Sequence, residues 1–448
     1  MVSVADPKQI EDSIEIVIEP SAQTDESSQR TLICKELLEA AINGHENNLT
    51  QLLGLDVGES PDFDLEARDN ALNQAKNLQS RTQETALHCA ARYGHSSVIS
   101  ELIDRAQELE HDLKDTLRKK NRHGETALHE AARRGHTATV QTLITEDLEL
   151  AGLVNKNDES PLYLATVEGH VAVVGLIVEH LCHREITSGY YSGPKRRTAL
   201  HAAVLRGPAI KYNIIRGRLQ PQKEHPDMVN ELLKLKSATF AKEGDIFGST
   251  PLHYAASTGD LRILERLLEH DAFLAYCDDS LGLYPLHVAA YRGNRRIIVN
   301  LLENNLDSWE LLDHRGRNFL HVAPESPWSV IPPLIEEAGK QRKNGHPKLW
   351  EVIRKASSAR DIEGNTPLDV AARCGGMAAV KALVGKELLI DVSFTSLDNL
   401  ALSYNSEVQV SKVQLMRIIR QYTSTTKLWK SWGGQEDIPE DGSSSHTL

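Results

Sequence analysis

A short string of residues recurs along the chain, and this recurrence limits the possible folds more than any other sequence feature. The first copy is Thr85-Ala-Leu-His88 and the last is Thr366-Pro-Leu-Asp369. Of the seven intervals between successive leucines of the string, three are 34 residues long and four are longer. A period of about 20–50 residues is typical of arrays of stacked thin layers, and the longer intervals predict loop insertions. The leucines are Leu87, Leu128, Leu162, Leu200, Leu252, Leu286, Leu320 and Leu368.

Each part of the string has a role in building a helix. Its Thr or Ser is a typical N-cap, because the side-chain oxygen accepts a backbone N–H that no carbonyl reaches. A proline in the next position loses no hydrogen bond there. A glycine such as Gly94 or Gly135 ends the helix. An apolar face with spacings of three and four, as in residues 98–103, then predicts a second helix. Asp-x-x-Gly or a relative before the string, as in residues 279–282, predicts a β-turn.

Helix–turn–helix units joined by β-turns, here called fingers, with a period of about 33 residues are the pattern of ankyrin repeats. The fold class that we predict is therefore all-α, an ankyrin-repeat solenoid of about eight to nine repeats. The array is expected to span residues 31–390, with a degenerate N-terminal cap at about 35–56. Pro324 falls inside the predicted first helix of the seventh repeat, so this helix should end early. An irregular insertion with short helices, one of them over 349–356, is expected at 325–360.

The net charge of −13 is concentrated at the two ends of the chain. Residues 1–30 carry −5 and residues 433–448 carry −4, so about −4 remains for the body between them. Both ends are predicted to be disordered acidic tails, and residues 391–432 are predicted to form a helical segment before the second tail. A nearly neutral body argues against nucleic acid as a partner.

The sequence contains no motif for a metal, a cofactor or a catalytic centre. Its five cysteines are scattered and never form a Cys-x-x-Cys pair. Neither a phosphate-binding loop nor a Gly-x-Ser-x-Gly elbow occurs. The N-terminus lacks the basic and apolar regions of a signal peptide, and no apolar run is long enough to span a bilayer. These features predict a cytoplasmic protein that is not an enzyme.

The late repeats indicate a narrower group of ankyrin-repeat proteins. Residues 313–322 and 361–369 resemble the late repeats of plant ankyrin proteins of the accelerated-cell-death type, as do residues 125–132 and the long insert in the fourth repeat. The resemblance implies a scaffold in plant defence or stress signalling, with membrane-bound relatives that carry a C-terminal PGG domain. After Val384 this sequence has no Pro-Gly-Gly string and no apolar span. The alternative is the cytosolic sensor part of a membrane-anchored channel or transport regulator, lacking its PGG domain, at the cytosolic face of the plasma membrane.

Partner binding is expected on the concave face of the array, where the two residues before each helix-terminating glycine should project. Five of these seven pairs contain arginine. Arginine and tyrosine are enriched at binding hot spots, so we hypothesise a basic groove for a protein partner such as an acidic peptide or helix. The alternative is that the arginines only keep this surface soluble. The candidate residues are Arg92, Tyr93, Arg133, Arg134, Arg206, Tyr291 and Arg292.

Two loops and many histidines have competing interpretations. Loop 189–197 places two tyrosines beside three basic residues, and it is either a recognition finger, a nuclear-import signal or an ordinary surface loop. Insertion 208–226 either contacts a partner or anionic lipid, or is solvated. Histidines at the third helical position, such as His88, and after the terminating glycine, such as His95, are expected to cap and pack helices instead of binding metal.

Overall fold

Most of the described residues are helical, which confirms the predicted fold class. The chain forms two compact units, Met1–Pro251 and Leu252–Leu448. The two predicted acidic tails and segment 391–432 lie outside the described residues, as does all of the predicted cap except 40–44. The computed structural model describes residues 40–44, 83–108, 113–184, 186–206, 228–235, 240–325 and 329–384, together with the backbone of two strands between 212 and 221.

The helices of the first unit form two layers. Each first helix of a repeat packs on the first helix of the next repeat, and second helices pack on second helices. The first helices are α1 (Ala86–Tyr93), α4 (Ala127–Arg134), α6 (Pro161–Glu168) and α8 (Ala199–Arg206). The second helices are α2 (Ser96–Glu108), α5 (Thr137–Glu146), α7 (Val171–Leu181) and α9 (Met228–Leu232), and the short helix α3 (Leu113–Leu117) follows α2. Turns of 3-10 helix lie at Leu148–Gly152, Ser188–Tyr190 and Pro194–Arg196.

The long interval in the fourth repeat holds an insertion between its two helices, α8 and α9. Strands β1 (Tyr212–Ile215) and β2 (Arg218–Pro221) form an antiparallel hairpin there, with Ile215 paired to Arg218. The β-branched and aromatic residues of β1 favour a strand, and two residues connect the paired ends, as in the commonest hairpins. The interpretation of insertion 208–226 as a loop missed the hairpin, because four-residue strands are too short to show a clear period.

The second unit again contains first and second helices that alternate along the chain. Its first helices are α10 (Pro251–Thr258, whose Pro251 closes the first unit), α12 (Pro285–Arg292), α14 (Phe319–Val322) and α17 (Pro367–Arg373). Its other helices are α11 (Leu261–His270), α13 (Arg295–Asn304), α15 (Ile331–Lys343), α16 (Lys348–Ser358) and α18 (Met377–Val384). Turns of 3-10 helix lie at Ala272–Tyr276, Leu306–Glu310 and Ala323–Glu325.

Pro324 shortens the first helix of one repeat in the second unit. Helix α14 has four residues and gives way to a 3-10 turn, because proline lacks the N–H that an α-helix requires. The region predicted as an irregular insertion with short helices, 325–360, contains two regular helices, α15 and α16, which pack against each other, and α16 includes the helix predicted over 349–356. Prolines stand in the first turn of α15, where they are compatible with a helix, so they start this helix and do not disrupt it.

The repeated leucines lie in the core, as their spacing predicts. Leu286 on α12 is 1% exposed, whereas Leu281 on the preceding finger is 65% exposed. We expect Leu286→Ala to lower the free energy of unfolding by about 2–5 kcal/mol, because it removes buried methyl groups and leaves a cavity. Leu281→Ala, the same change at an exposed site of the same unit, should alter it by less than about 0.5 kcal/mol. Urea denaturation of both variants tests this, and equal losses would contradict the assigned core.

Candidate protein-binding surface

A buried histidine on the first helix links each of six repeats to the next finger. In the first copy, His88 Nδ1 accepts a hydrogen bond from the backbone N–H of Thr85 at 3.2 Å. His88 Nε2 lies 2.8 Å from the carbonyl oxygen of Glu125, the residue before the next N-cap. Because Nδ1 is an acceptor, Nε2 carries the proton and donates to that carbonyl. The other pairs are His129 with Glu159 (3.2 Å), His201 with Ser249 (2.9 Å), His253 with Leu283 (2.8 Å), His287 with Arg317 (2.9 Å) and His321 with Asn365 (3.0 Å).

Burial keeps four of these histidines neutral. It lowers the pKa of His88 and His321 below the usual range, that of His129 to about 3 and that of His287 to about 4. A second proton on Nδ1 would face the backbone N–H that this nitrogen accepts from. The rings therefore serve as fixed links between repeats, and within the described residues no group of three or more His, Cys, Asp or Glu side chains is placed to hold a metal ion.

The last described repeat replaces this histidine with an aspartate. Asp369 Oδ2 accepts hydrogen bonds from the backbone N–H and the hydroxyl of Thr366, both at 2.8 Å. Its second oxygen, Oδ1, is buried and has no hydrogen-bond partner among the described residues. The hydrogen bonds that cap the helix are therefore retained. The donor to the carbonyl of the next repeat is lost, because a carboxylate oxygen accepts and does not donate.

A second set of side chains caps the C-terminal ends of the first helices. His136 Nε2 lies 2.9 Å from the carbonyl oxygen of Arg92, and its ring fills the space beside Gly94, which has φ +79°. His95 and His170 make the same contact with the preceding repeat. In the fourth repeat the corresponding position is a proline, and the guanidinium of Arg206 instead donates to the carbonyl of Val167. Arg206, predicted as a partner-binding residue, therefore has a structural role.

Arg92, also predicted to bind a partner, is held between two carboxylates. Its guanidinium forms ion pairs with Glu84 and, at 2.7 Å, with Glu130 on the next first helix. Burial works against the charge of Arg92, but hydrogen bonds to Glu130 and Glu84 outweigh it and raise the arginine pKa. Burial also works against the charge of Glu130, and the contacts with Arg92 outweigh it and lower the carboxyl pKa. The positive charge expected at this position is thus compensated within the chain.

Arg133 is compensated in the same way. It pairs with Glu125, a buried carboxylate that Asn155 Nδ2 also approaches at 3.3 Å. Glu84 and Glu125 each stand eight residues before the arginine that they bind, immediately before an N-cap. This repeated Glu–Arg spacing was present in the sequence, and it would have indicated that the two arginines are paired.

The remaining candidate residues are exposed. Tyr93 is 45% exposed, and Arg134, at the same position one repeat later, forms no ion pair with the described residues. In the second unit, Tyr291 is 46% exposed, and Arg292 Nε makes one long hydrogen bond of 3.4 Å to the carbonyl of Ser257. The seven candidates thus fall into two separate units. Arg206 is exposed as well, although its guanidinium is bound to Val167. The other four exposed candidates are here called the helix-end residues: Tyr93, Arg134, Tyr291 and Arg292.

Loop 189–197 forms the finger of the fourth repeat. The Gly193 N–H donates to the carbonyl of Arg197 at 2.7 Å, as Asn121 does to Glu125 in an earlier finger. Both tyrosines are anchored: Tyr190 donates to Glu149 at 3.0 Å, and the buried Tyr191 donates to Glu243 at 2.6 Å. Lys195 and Arg196, and not the tyrosines, are therefore exposed at the tip of this loop.

The ion pairs of Arg92 predict a stability difference between neighbouring arginines. Arg92→Ala should lower the free energy of unfolding by about 1–3 kcal/mol, because it leaves the buried Glu130 without its partner. Arg134→Ala removes the same side chain from an exposed site and should change it by less than about 0.5 kcal/mol. Chemical denaturation at pH 7 measures both. Equal values would mean that the carboxylates gain nothing from Arg92.

The neutral histidines predict loss of stability in acid. An unfolded histidine takes up a proton below about pH 6.5, whereas folded His287, with a pKa of about 4, does not. Stability should therefore be complete above pH 6.5 and fall as the pH drops towards 4, by about 3 kcal/mol for this one residue. His287→Gln should be less stable at pH 7 and show a smaller further loss at pH 5, by thermal unfolding. An unchanged pH dependence would refute the link to His287.

Comparisons with known proteins agree with this architecture. The family model "Ankyrin repeats (3 copies)" matches residues 37–151 and 221–310, and the model "Ankyrin repeat" matches 363–393, together just over half of the chain. No curated protein matches the sequence. No helix among the described residues is long and apolar enough to cross a membrane.

Solved structures of ankyrin domains are similar to this chain at low sequence identity. One is the ankyrin repeat domain of Bcl-3, a member of the IkappaB protein family, with 21% identity and a TM-score of 0.45 over 55% of this chain and 96% of that chain. Another is the human ASB11 ankyrin repeat domain, with 21% identity and a TM-score of 0.39 over 55% of this chain and 95% of that chain. On the evidence of the matching family models, the chain belongs to the ankyrin-repeat family.

Proposed function

We propose that this protein is a non-catalytic scaffold that binds a protein partner through its helix-end residues. The observation that carries the proposal is the exposure of Tyr93 and Tyr291 at the C-terminal ends of two first helices, with Tyr93 immediately before Gly94 and Tyr291 two residues before Gly293. Tyrosine contributes a large, rigid contact area and a hydroxyl group, and it is enriched at binding hot spots. Ankyrin repeats typically act as protein-interaction modules, which supports the same role.

The local structure of the helix ends favours binding. Gly94 and Gly135 end their helices in a left-handed conformation, and histidines of the following repeats hold these ends in place. Tyr93 and Arg134 are therefore presented on ordered backbone, so that binding loses little additional entropy.

The chemistry of the partner follows from the charges that remain uncompensated. Arg92 and Arg133 are already paired with carboxylates, so they offer little attraction to an acidic surface. Arg134 forms no ion pair with the described residues. We propose a partner peptide or helix that places an apolar group against Tyr93 and a carboxylate against Arg134.

Paired substitutions test the proposed surface. A protein captured from a cell extract by the full chain would be purified and titrated against the variants Tyr93→Ala and Arg134→Glu. Each should weaken binding about tenfold or more, as expected for hot-spot residues. Arg262→Glu, which alters an exposed arginine on the second helix α11, is the matched control and should bind normally. Normal binding by both test variants would exclude the helix-end surface.

The cellular setting is proposed from the resemblance in residues 125–132, 313–322 and 361–369. We propose a cytoplasmic scaffold in plant defence or stress signalling. The alternative is the cytosolic sensor part of a membrane-anchored channel or transport regulator, located at the cytosolic face of the plasma membrane. Sequencing of full-length transcripts separates the two: coding sequence for apolar spans beyond Leu448 favours the alternative, and a stop codon at that point favours the scaffold.

A further inference from the structure

The tips of four successive fingers in the first unit carry exposed side chains that are either basic or large and apolar. The basic residues occupy the first three fingers and the apolar residues occupy the fourth. All six are exposed. We call this set the fingertip strip: Arg122, Lys156, Lys195, Arg196, Ile246 and Phe247.

Backbone hydrogen bonds join the fingers into one surface. The N–H of Lys156 donates to His123 in the preceding finger at 3.0 Å, and the N–H of Ile246 donates to Lys195 at 3.1 Å. Between them, Ser160 donates to Ser192 at 2.8 Å, which ties the second finger to the third. The strip is thus a continuous row of side chains on an ordered backbone.

The charge of this strip is not compensated, in contrast to that of Arg92 and Arg133. None of its four basic residues forms an ion pair with another described residue. Asp158, on the second finger, is the acidic residue among the exposed tips. An anionic ligand would therefore meet basic side chains that have no competing carboxylate partner.

The third finger presents its cations on an unfavourable backbone. Lys195 and Arg196 have φ values of +59° and +56°, in the left-handed region that favours glycine. In the first and fourth fingers, Gly124 and Gly248 occupy the position of Arg196. Asp158 in the second finger, with φ +62°, also occupies this position, whereas Lys195 has no left-handed counterpart in the other three fingers. The strained backbone at Lys195 is therefore particular to the third finger and points to a use for its side chain.

The fourth finger adds an apolar surface. Ile246 is 49% exposed and Phe247 is 59% exposed. The Asp245 carboxylate accepts a hydrogen bond from the N–H of Phe247 at 2.9 Å, which fixes the turn. Two large apolar groups on a rigid turn, beside a basic row, match a segment that combines acidic and apolar residues.

The chain itself contains such a segment near its N-terminus. Residues 10–19, Ile-Glu-Asp-Ser-Ile-Glu-Ile-Val-Ile-Glu, carry four acidic residues, five apolar ones and no basic one. The C-terminal acidic residues 433–448 have only Ile438 and Leu448 as large apolar groups, so they match the fourth finger less well. We propose that residues 10–19 dock on the fingertip strip of the same chain, with their carboxylates on the basic tips and their isoleucines on Ile246 and Phe247.

The connecting chain is long enough for this contact. Twenty residues, 20–39, separate the segment from the first described helical turn at 40–43, and they can extend over about 66 Å. Four helix-to-helix steps of about 8–10 Å each separate that turn from α8, which follows the third finger. The segment can therefore reach the strip.

Zero-length crosslinking with a carbodiimide tests the docking, because it joins a lysine amine only to a carboxylate in contact with it. In the full chain, Lys156 and Lys195 should crosslink to Glu11, Asp12, Glu15 or Glu19. Mixing of isotope-labelled and unlabelled protein should show that each crosslink lies within one chain. Crosslinks that join different chains, or that form equally with lysines elsewhere, would overturn the proposal.

Variants that retain every reacting lysine and carboxylate distinguish specific docking from general charge attraction. Ile246→Ser with Phe247→Ser should reduce the yield of these crosslinks about tenfold, and so should Ile14→Ser combined with Ile16→Ser and Ile18→Ser. The control Arg262→Glu with Arg266→Glu should leave the yield unchanged, and circular dichroism checks that each variant is folded. An undiminished yield in either apolar variant would overturn the assigned contact. Loss of Tyr93-dependent partner binding does not affect these yields, so the two proposals fail independently.

Discussion

The structure depends on one hydrogen-bonded link, the neutral histidine that joins a first helix to the next finger. Its Nδ1 accepts the N–H at the start of its own helix, and its Nε2 donates to a carbonyl of the following repeat. A layer of two short helices buries too little surface to be stable alone, so the contacts between layers decide whether it folds. The link places a directed polar contact at six of these interfaces, and burial strengthens it because water cannot compete.

The second general feature is that basic residues form ion pairs at one surface of the chain and not at another. At the ends of the first helices, Arg92 and Arg133 lie beside carboxylates that neutralise them. At the fingertips, Lys195 and Arg196 have no such partner among the described residues. A count of arginines in the sequence cannot distinguish these situations, because the effect of a charge depends on what lies within a few ångströms of it.

The sequence was sufficient for those parts of the fold that depend on local chemistry. N-caps such as Thr126, terminating glycines such as Gly135 and the buried leucines were all predictable, because each role is decided within one helical turn. The pairing of Arg92 with Glu130 was not, since packing brings together residues 38 positions apart. The prolines at the start of α15 predict breaks in the chain, whereas in the first turn of this helix they are compatible with helical structure. Which of the seven candidate residues are exposed to solvent could be determined only from the packing of the helices.

The choice of a backbone carbonyl as the acceptor of the histidine link has a consequence for how the protein can vary. Every residue has a carbonyl, so the link places no demand on the side chain at that position. The acceptors are accordingly two glutamates, a serine, a leucine, an arginine and an asparagine. Cohesion between repeats is thereby separated from the identity of the side chains that line the fingers. Such a molecule can acquire a new recognition surface by substitution without losing the contact that holds its layers together.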